Sequence, residues 1–171
     1  MNLEIKPGIE KFNIKKLEAD DAVKYREIRL KGLETDPQSF GDDLKEESKK
    51  DDEYWKRKLS KPDRSYYAAE ENNIFISTAG AIDIDSKSSM IVGVYTLPEH
   101  RGKKISTQLI NSLLIEAKRK GLEKVSLQVN IENEDAIKVY ERIGFKIVEN
   151  NKNKEMGDKE AHSLYLMEKD L

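Results

Sequence analysis

The sequence predicts an α/β protein of the mixed α+β kind, with one central sheet and helices on both of its faces. Three observations predict it. Apolar and polar residues alternate in short runs from residue 65 onward, the period of half-buried strands. Two stretches, residues 105–120 and 133–144, instead repeat apolar residues at helical spacing, and glycine follows or ends each. The order strand, helices, three strands, helix, strand, helix, two strands interleaves both types, so helices must cover a sheet. At 171 residues the chain suits one domain over residues 11–171, behind a tail of residues 1–10.

Residues 11–17 (KFNIKKL) alternate as a short strand, and residues 18–34 follow as a helix whose acidic start complements the helix dipole. DPQSFG, residues 36–41, is a break, and residues 42–53 form a charge run that reads as a solvated loop or helix face. Residues 52–60 carry the single tryptophan, Trp55, on a short helix. SYYAAE and IFISTAGAIDI, joined at Glu71, Asn72 and Asn73, read as a hairpin, and the polar turn DSKSS leads to the strand MIVGVYTL of residues 90–97. Ile105, Leu109, Ile110, Leu113, Leu114 and Ala117 line one helix face before Gly121. KVSLQVN is a strand with one polar face, and Asn133 caps a helix that presents Ala136, Ile137, Tyr140 and Ile143 before Gly144 stops it. FKIVEN and HSLYLMEK close the sheet around a loop, KNKEMGDK.

The charge balance excludes several functions. With 31 basic and 33 acidic residues the formal charge is -2, so nothing draws the chain as a whole to nucleic acid or to an anionic membrane, and any basic site is local. No cysteine and only two histidines leave no thiolate nucleophile, no disulfide framework and little for a metal. No apolar run has the length of a membrane span or a signal core, which gives a cytoplasmic reading.

One turn contradicts ordinary helix design. In LPEHRGKKIS, residues 97–106, Arg101, Lys103 and Lys104 crowd the start of a helix, where the dipole prefers carboxylates. Two readings stay open: the cations point into water, or an anion supplies the missing negative charge at converging backbone N–H groups. The turn matches neither the GxxxxGK[ST] nor the GxGxxG phosphate loop. Tyr140 likewise reads as a core tyrosine or as a proton donor, and Asn133 as a plain N-cap.

Position in the chain adds to this. The turn follows a strand ended by Pro98, and NxxAxxxYxxxGF spans Asn133 to Phe145. Together these resemble the GCN5-related N-acetyltransferase (GNAT) family over about residues 11–170, most strongly over 90–145. The resemblance implies the acyl-CoA N-acyltransferase fold, a mostly antiparallel sheet with a splayed strand pair. It implies acetyl-CoA as cosubstrate, with the pyrophosphate cradled by Arg101, Gly102, Lys103, Lys104, Ile105 and Ser106 in the pattern [Q/R]-x-x-G-x-[G/A]. The pantetheine arm then pairs with Val94, Tyr95 and Thr96 and touches Asn133, and Tyr140 protonates the leaving thiolate. Gly93, within that strand, fits a bulge that frees its edge.

Departures from the family pattern are specific. Lys104 and Ser106 stand where glycine and glycine or alanine are usual, and Lys104 fits if its backbone is in the ordinary helical region. Gln128 stands where relatives acting on protein N-termini often carry a glutamate base. Asp83, Asp85 and Glu70 are the other candidates for binding or deprotonating a cationic amine, and Glu99 reads as solvated. The implied reaction is acetyl transfer to a primary amine of a small molecule or peptide by direct attack in a ternary complex. The alternative is a non-catalytic sensor of CoA or another polyphosphate. Dimers are common among relatives, which makes a homodimer the candidate assembly.

Overall fold

The computed structural model describes residues 12–154 and 162–171; the N-terminal tail and most of the KNKEMGDK loop lie outside the described residues. Among the described residues, strands β1 (Asn13–Lys16), β2 (Arg64–Glu71), β3 (Ile74–Asp83), β4 (Ser88–Thr96), β5 (Lys124–Asn130), β6 (Lys146–Lys154) and β7 (His162–Asp170) form one sheet in the order β1-β2-β3-β4-β5-β7-β6. Every neighbouring pair is antiparallel except β4 with β5. The helices are α1 (Ala22–Thr35), α2 (Leu44–Ser48), α3 (Asp52–Ser60), α4 (Ile105–Arg119) and α5 (Glu134–Ile143).

Strand alternation divides the core in two. On β2, Tyr66 and Ala68 face a cluster built with α1 and α3, whose centre holds Tyr25, Ile28, Leu33, Trp55 and Leu59. Ala69, the next residue along the strand, faces the opposite cluster, where Ile105, Leu109, Ile110, Leu113 and Ala117 of α4 meet Val125, Leu127 and Val129 of β5. Tyr140 and Phe145 join that second cluster with rings edge to face at 6.3 Å. Helices therefore cover both faces, as the interleaved order requires.

A polar contact also fixes α4 to the sheet. The Glu116 carboxylate accepts from Ser65 Oγ at 2.7 Å, Tyr67 OH at 2.8 Å and Lys16 Nζ at 2.6 Å. Burial opposes its ionisation, but these three donors outweigh it and hold the carboxyl below its ordinary value of 4.5.

Several boundaries differ from the sequence expectation. The charge run is not wholly solvated: it contains α2, capped by Asp43, which accepts from the amides of Lys45 and Glu46, and Glu47 is buried beside Lys58. β4 begins at Ser88 because Asp85 accepts from the amides of Lys87 and Ser88 and closes the turn early. β6 continues to Lys154, where pairing with β7 extends the hairpin into the expected loop. The helix expected from residue 18 opens instead with a 3-10 turn, Ala19–Asp21, in which the side chains of Glu18 and Asp21 form a capping box.

Replacing Glu116 by Gln leaves one donor badly matched and lowers stability by about 1–2 kcal/mol in urea melts at pH 7. Because the folded carboxyl ionises below 4.5, the gap between wild type and variant is full above that pH and closes as the pH falls through the folded value. A gap that persists unchanged at low pH contradicts this account.

Candidate active site

The parallel pairing of β4 with β5 is short. It joins Ser88 through Ile91 to Lys124 through Leu127 and goes no further. β4 continues to Thr96 on its β3 side, and β5 continues to Asn130 on its β7 side, so the two strands diverge like a V. Among the described residues, the β4 edge from Val92 to Thr96 facing β5 has no strand partner.

A bulge produces the divergence. Gly80 pairs with Val92 and Thr78 with Tyr95, so Ala79 alone stands opposite Gly93 and Val94. Gly93 has φ +62, which glycine adopts without a steric penalty. The extra residue reverses the alternation. Ile91 packs with α4, whereas Tyr95, four residues on, packs on the α1 side and shares a hydrogen bond with Thr35 at 2.7 Å.

The V opens into a cleft of about 1070 Å³ that runs between the two faces of the sheet. Of the residues expected at the site, Val94, Tyr95, Thr96, Arg101, Gly102, Lys104, Ile105, Ser106, Asn133 and Tyr140 line it. Lys103 does not; its ammonium lies 3.4 Å from His100 Nδ1. Arg101 folds back, donating from Nε to the Thr96 carbonyl at 3.1 Å. Ile105 is 2% exposed and belongs to the core, so only its backbone N–H is available to a ligand.

Lys104 is the N-cap of α4 with φ 58 and ψ 21, in the left-handed region. The ordinary helical conformation that its side chain prefers is not adopted. Gly102 is also left-handed, at φ 78. The chain thus makes the bend that glycine usually permits, and it leaves the first amides of α4 without intrahelical acceptors. A lysine there carries strain of about 1–2 kcal/mol.

Tyr140 is 9% exposed, and burial alone pushes its phenol up to about 12. Asn133 accepts from the Ala136 amide at 3.2 Å, so it is an N-cap that also faces the cleft. None of the carboxylates considered as a base reaches the cleft. Asp83 pairs with Lys120 at 2.9 Å, Asp85 closes its turn, Glu70 pairs with Lys24 at 2.6 Å, and Glu99 lies outside. Gln128 does line the cleft, as do Asp36 and Asp42 on the opposite wall.

None of the side chains on that wall stands among the sequence candidates: Arg29 on α1, Tyr54 and Lys58 on α3, and Asp42 before α2. The signal was a charged residue on a buried stripe, since Ala22, Tyr25, Ile28, Arg29, Gly32 and Leu33 share the inner face of α1. Among the described residues no group of three histidine or carboxylate side chains is placed to hold a metal, and no helix is long and apolar enough to cross a membrane.

The splayed parallel pair, its bulge and the glycine-containing turn before α4 define a mixed α/β fold organised around an open strand edge. The profile of the Acetyltransferase (GNAT) family matches residues 29–145, and the chain belongs to that family. An uncharacterized N-acetyltransferase of Methanocaldococcus jannaschii is 42% identical over 52 residues, 30% of this chain and 23% of that protein. Another, from Bacillus subtilis, is 34% identical over 70 residues, 41% of this chain and 28% of that protein. The matched stretch spans about a quarter of the length of these curated relatives. Among solved structures, an acetyltransferase structure from Salmonella typhimurium with its cofactor acetyl-CoA superposes with TM-score 0.79 at 18% identity, covering 95% of both chains. Spermidine N-acetyltransferase from Vibrio cholerae, in complex with CoA and spermine, gives TM-score 0.71 at 18% identity over 95% of this chain and 96% of its own. These two share the fold.

Replacing Lys104 by Gly removes the left-handed strain but adds about 0.5–1 kcal/mol of unfolded-chain freedom, for a net gain of about 0.5–1 kcal/mol. Denaturant melts of the variant check this; a lower midpoint contradicts it.

Proposed function

We propose that this protein is an acetyl-CoA-dependent N-acetyltransferase that acetylates a primary amine of a small molecule or peptide by direct attack in a ternary complex. The observation that carries the reading is the unpaired β4 edge. It leads from the turn at residues 101–106 into a cleft that also holds Tyr140. Family membership supports the same chemistry.

The residues fit the cosubstrate. The amides of Ile105 and Ser106, with the backbone of Gly102, Lys103 and Lys104, receive the pyrophosphate, and Arg101 and the two lysines add charge around it. Val94, Tyr95 and Thr96 offer backbone groups to the pantetheine amides as a neighbouring strand would. Asn133 contributes its remaining side-chain groups. When bound, acetyl-CoA supplies an activated acyl group as a thioester.

Tyr140 holds its proton at the phenol oxygen throughout the physiological range and gives it to the departing sulfur. A free phenolate is costly in this buried position and is a stronger base than a thiolate whose thiol lies near 8.5, so the transfer is completed by the proton that the attacking nitrogen sheds as the adduct collapses, which returns to the phenol oxygen through water. Gln128 cannot take a proton, so the ammonium of the acceptor loses its own to water in the cleft.

Tyr140→Phe lowers turnover by about 100-fold or more while leaving acetyl-CoA affinity in place, measured by thiol release and calorimetry. Unchanged turnover removes Tyr140 from the mechanism, and tight binding with no thiol release from any amine favours the sensor reading. Because the phenol is pushed up to about 12, the wild-type rate rises with pH as the amine deprotonates and does not bend at the ordinary tyrosine value of 10. A falling limb at or below that value contradicts the assignment.

A further inference from the structure

Arg29 is the most unusual side chain on the cleft. It lies on the buried stripe of α1 with its side chain 8% exposed. Nη2 donates to the Asp42 carboxylate, and the guanidinium lies over the Phe40 ring at 4.5 Å. Nε and Nη1 are buried and have no hydrogen-bond partner among the described residues. The side chain of Asp42 is 52% exposed. The negative member of the pair therefore stands in water while the positive member stands out of it, an arrangement that leaves a buried cation undercompensated.

The direction of the free donors matters more than their number. A Cβ built on Gly93 stands 3.5 Å from Arg29 Nη1, so the guanidinium abuts the bulge from which the open β4 edge begins. Lys58 adds a second cation on the same wall. Its ion pair with Glu47 is loose at 3.6 Å, and burial, opposed by Glu47, lowers its pKa.

We propose that Arg29 receives the carboxylate of the acceptor, and that the acceptor is an amine carrying that carboxylate on the neighbouring carbon, as in a free amino acid. The proposal rests on the acetyl-transfer reading, which runs the pantetheine arm along Thr96, Tyr95 and Val94 and brings the thioester to Gly93. From standard bond lengths the amine of an amino acid lies roughly 3 Å from its nearer carboxylate oxygen. A carboxylate on Nη1 consequently sets the amine beside the bulge, where the thioester ends. The same guanidinium repels a polyamine, and a carboxamide meets it without the charge that makes such hydrogen bonds strong.

The test compares thiol release from acetyl-CoA with the twenty L-amino acids, the matching L-amino acid amides and spermidine, alongside calorimetry of acetyl-CoA alone. The best free acid is expected to exceed its amide in kcat/KM by about 100-fold or more, with spermidine no better than the amide. Arg29→Met collapses that ratio below about tenfold with acetyl-CoA affinity retained, and Arg29→Lys, which keeps the charge if the methionine variant fails to fold, restores part of it. Acetyl-CoA binding with equal use of acid and amide, with spermidine preferred, or with silence across both series overturns the carboxylate site and leaves the cosubstrate reading standing. Loss of the same factor from acid and amide in Arg29→Met also overturns it. Failure to bind acetyl-CoA overturns the acetyl-transfer reading and this inference with it.

Discussion

The four-residue limit on pairing between β4 and β5 is the constraint on which the site depends. A parallel pair buried in a sheet ordinarily continues as far as both strands run, because each unpaired amide and carbonyl left inside costs free energy. Here both strands run on and neither meets the other. The bulge at Gly93 rotates the end of β4, and the open edge it leaves is a row of backbone groups facing a cleft. The geometry exposes hydrogen-bonding capacity in the middle of a sheet, where another backbone-like ligand fits.

That opening needs support from both faces. On one, α4 is held by its apolar stripe and by Glu116, whose three donors come from β1 and β2. On the other, Trp55 is fully buried with the Tyr25 and Tyr54 rings edge on to it at 5.8 and 5.3 Å. The bulge ties the two together. By reversing the alternation it sends Ile91 to the α4 side and Tyr95 to the α1 side, so one strand is anchored in both cores. The cleft lies between these anchors, lined by backbone and turn on one side and by charged side chains on the other.

Much of this was legible in the residues. The stripe of Ile105, Leu109, Ile110, Leu113, Leu114 and Ala117 marks α4 because helical packing demands that spacing, and Gly121 closes it in the left-handed conformation, at φ 77. Gly93 stood out within an apolar strand, and Arg101 to Ser106 stood out as cations at the wrong end of a helix. The inner wall was not legible. Arg29 reads as a surface charge of α1 until the partners on its face are known, and Glu47, within the charge run, reads as solvated because charge alone does not reveal burial. Asp83, Asp85 and Glu70 looked available from the sequence, and ion pairs or turn hydrogen bonds hold them elsewhere.

By itself the sequence determined the element order, the two helical stripes, the caps and the position of the basic turn, since these follow from local spacing and backbone preference. Tertiary structure decided where β4 parts from β5, that Lys104 bends left-handed, and that a guanidinium from α1 faces Gly93 from more than sixty residues away in the chain. Those outcomes depend on which strand lies beside which and on what two packed faces leave between them, and long-range pairing of that kind is not written in any local stretch of residues.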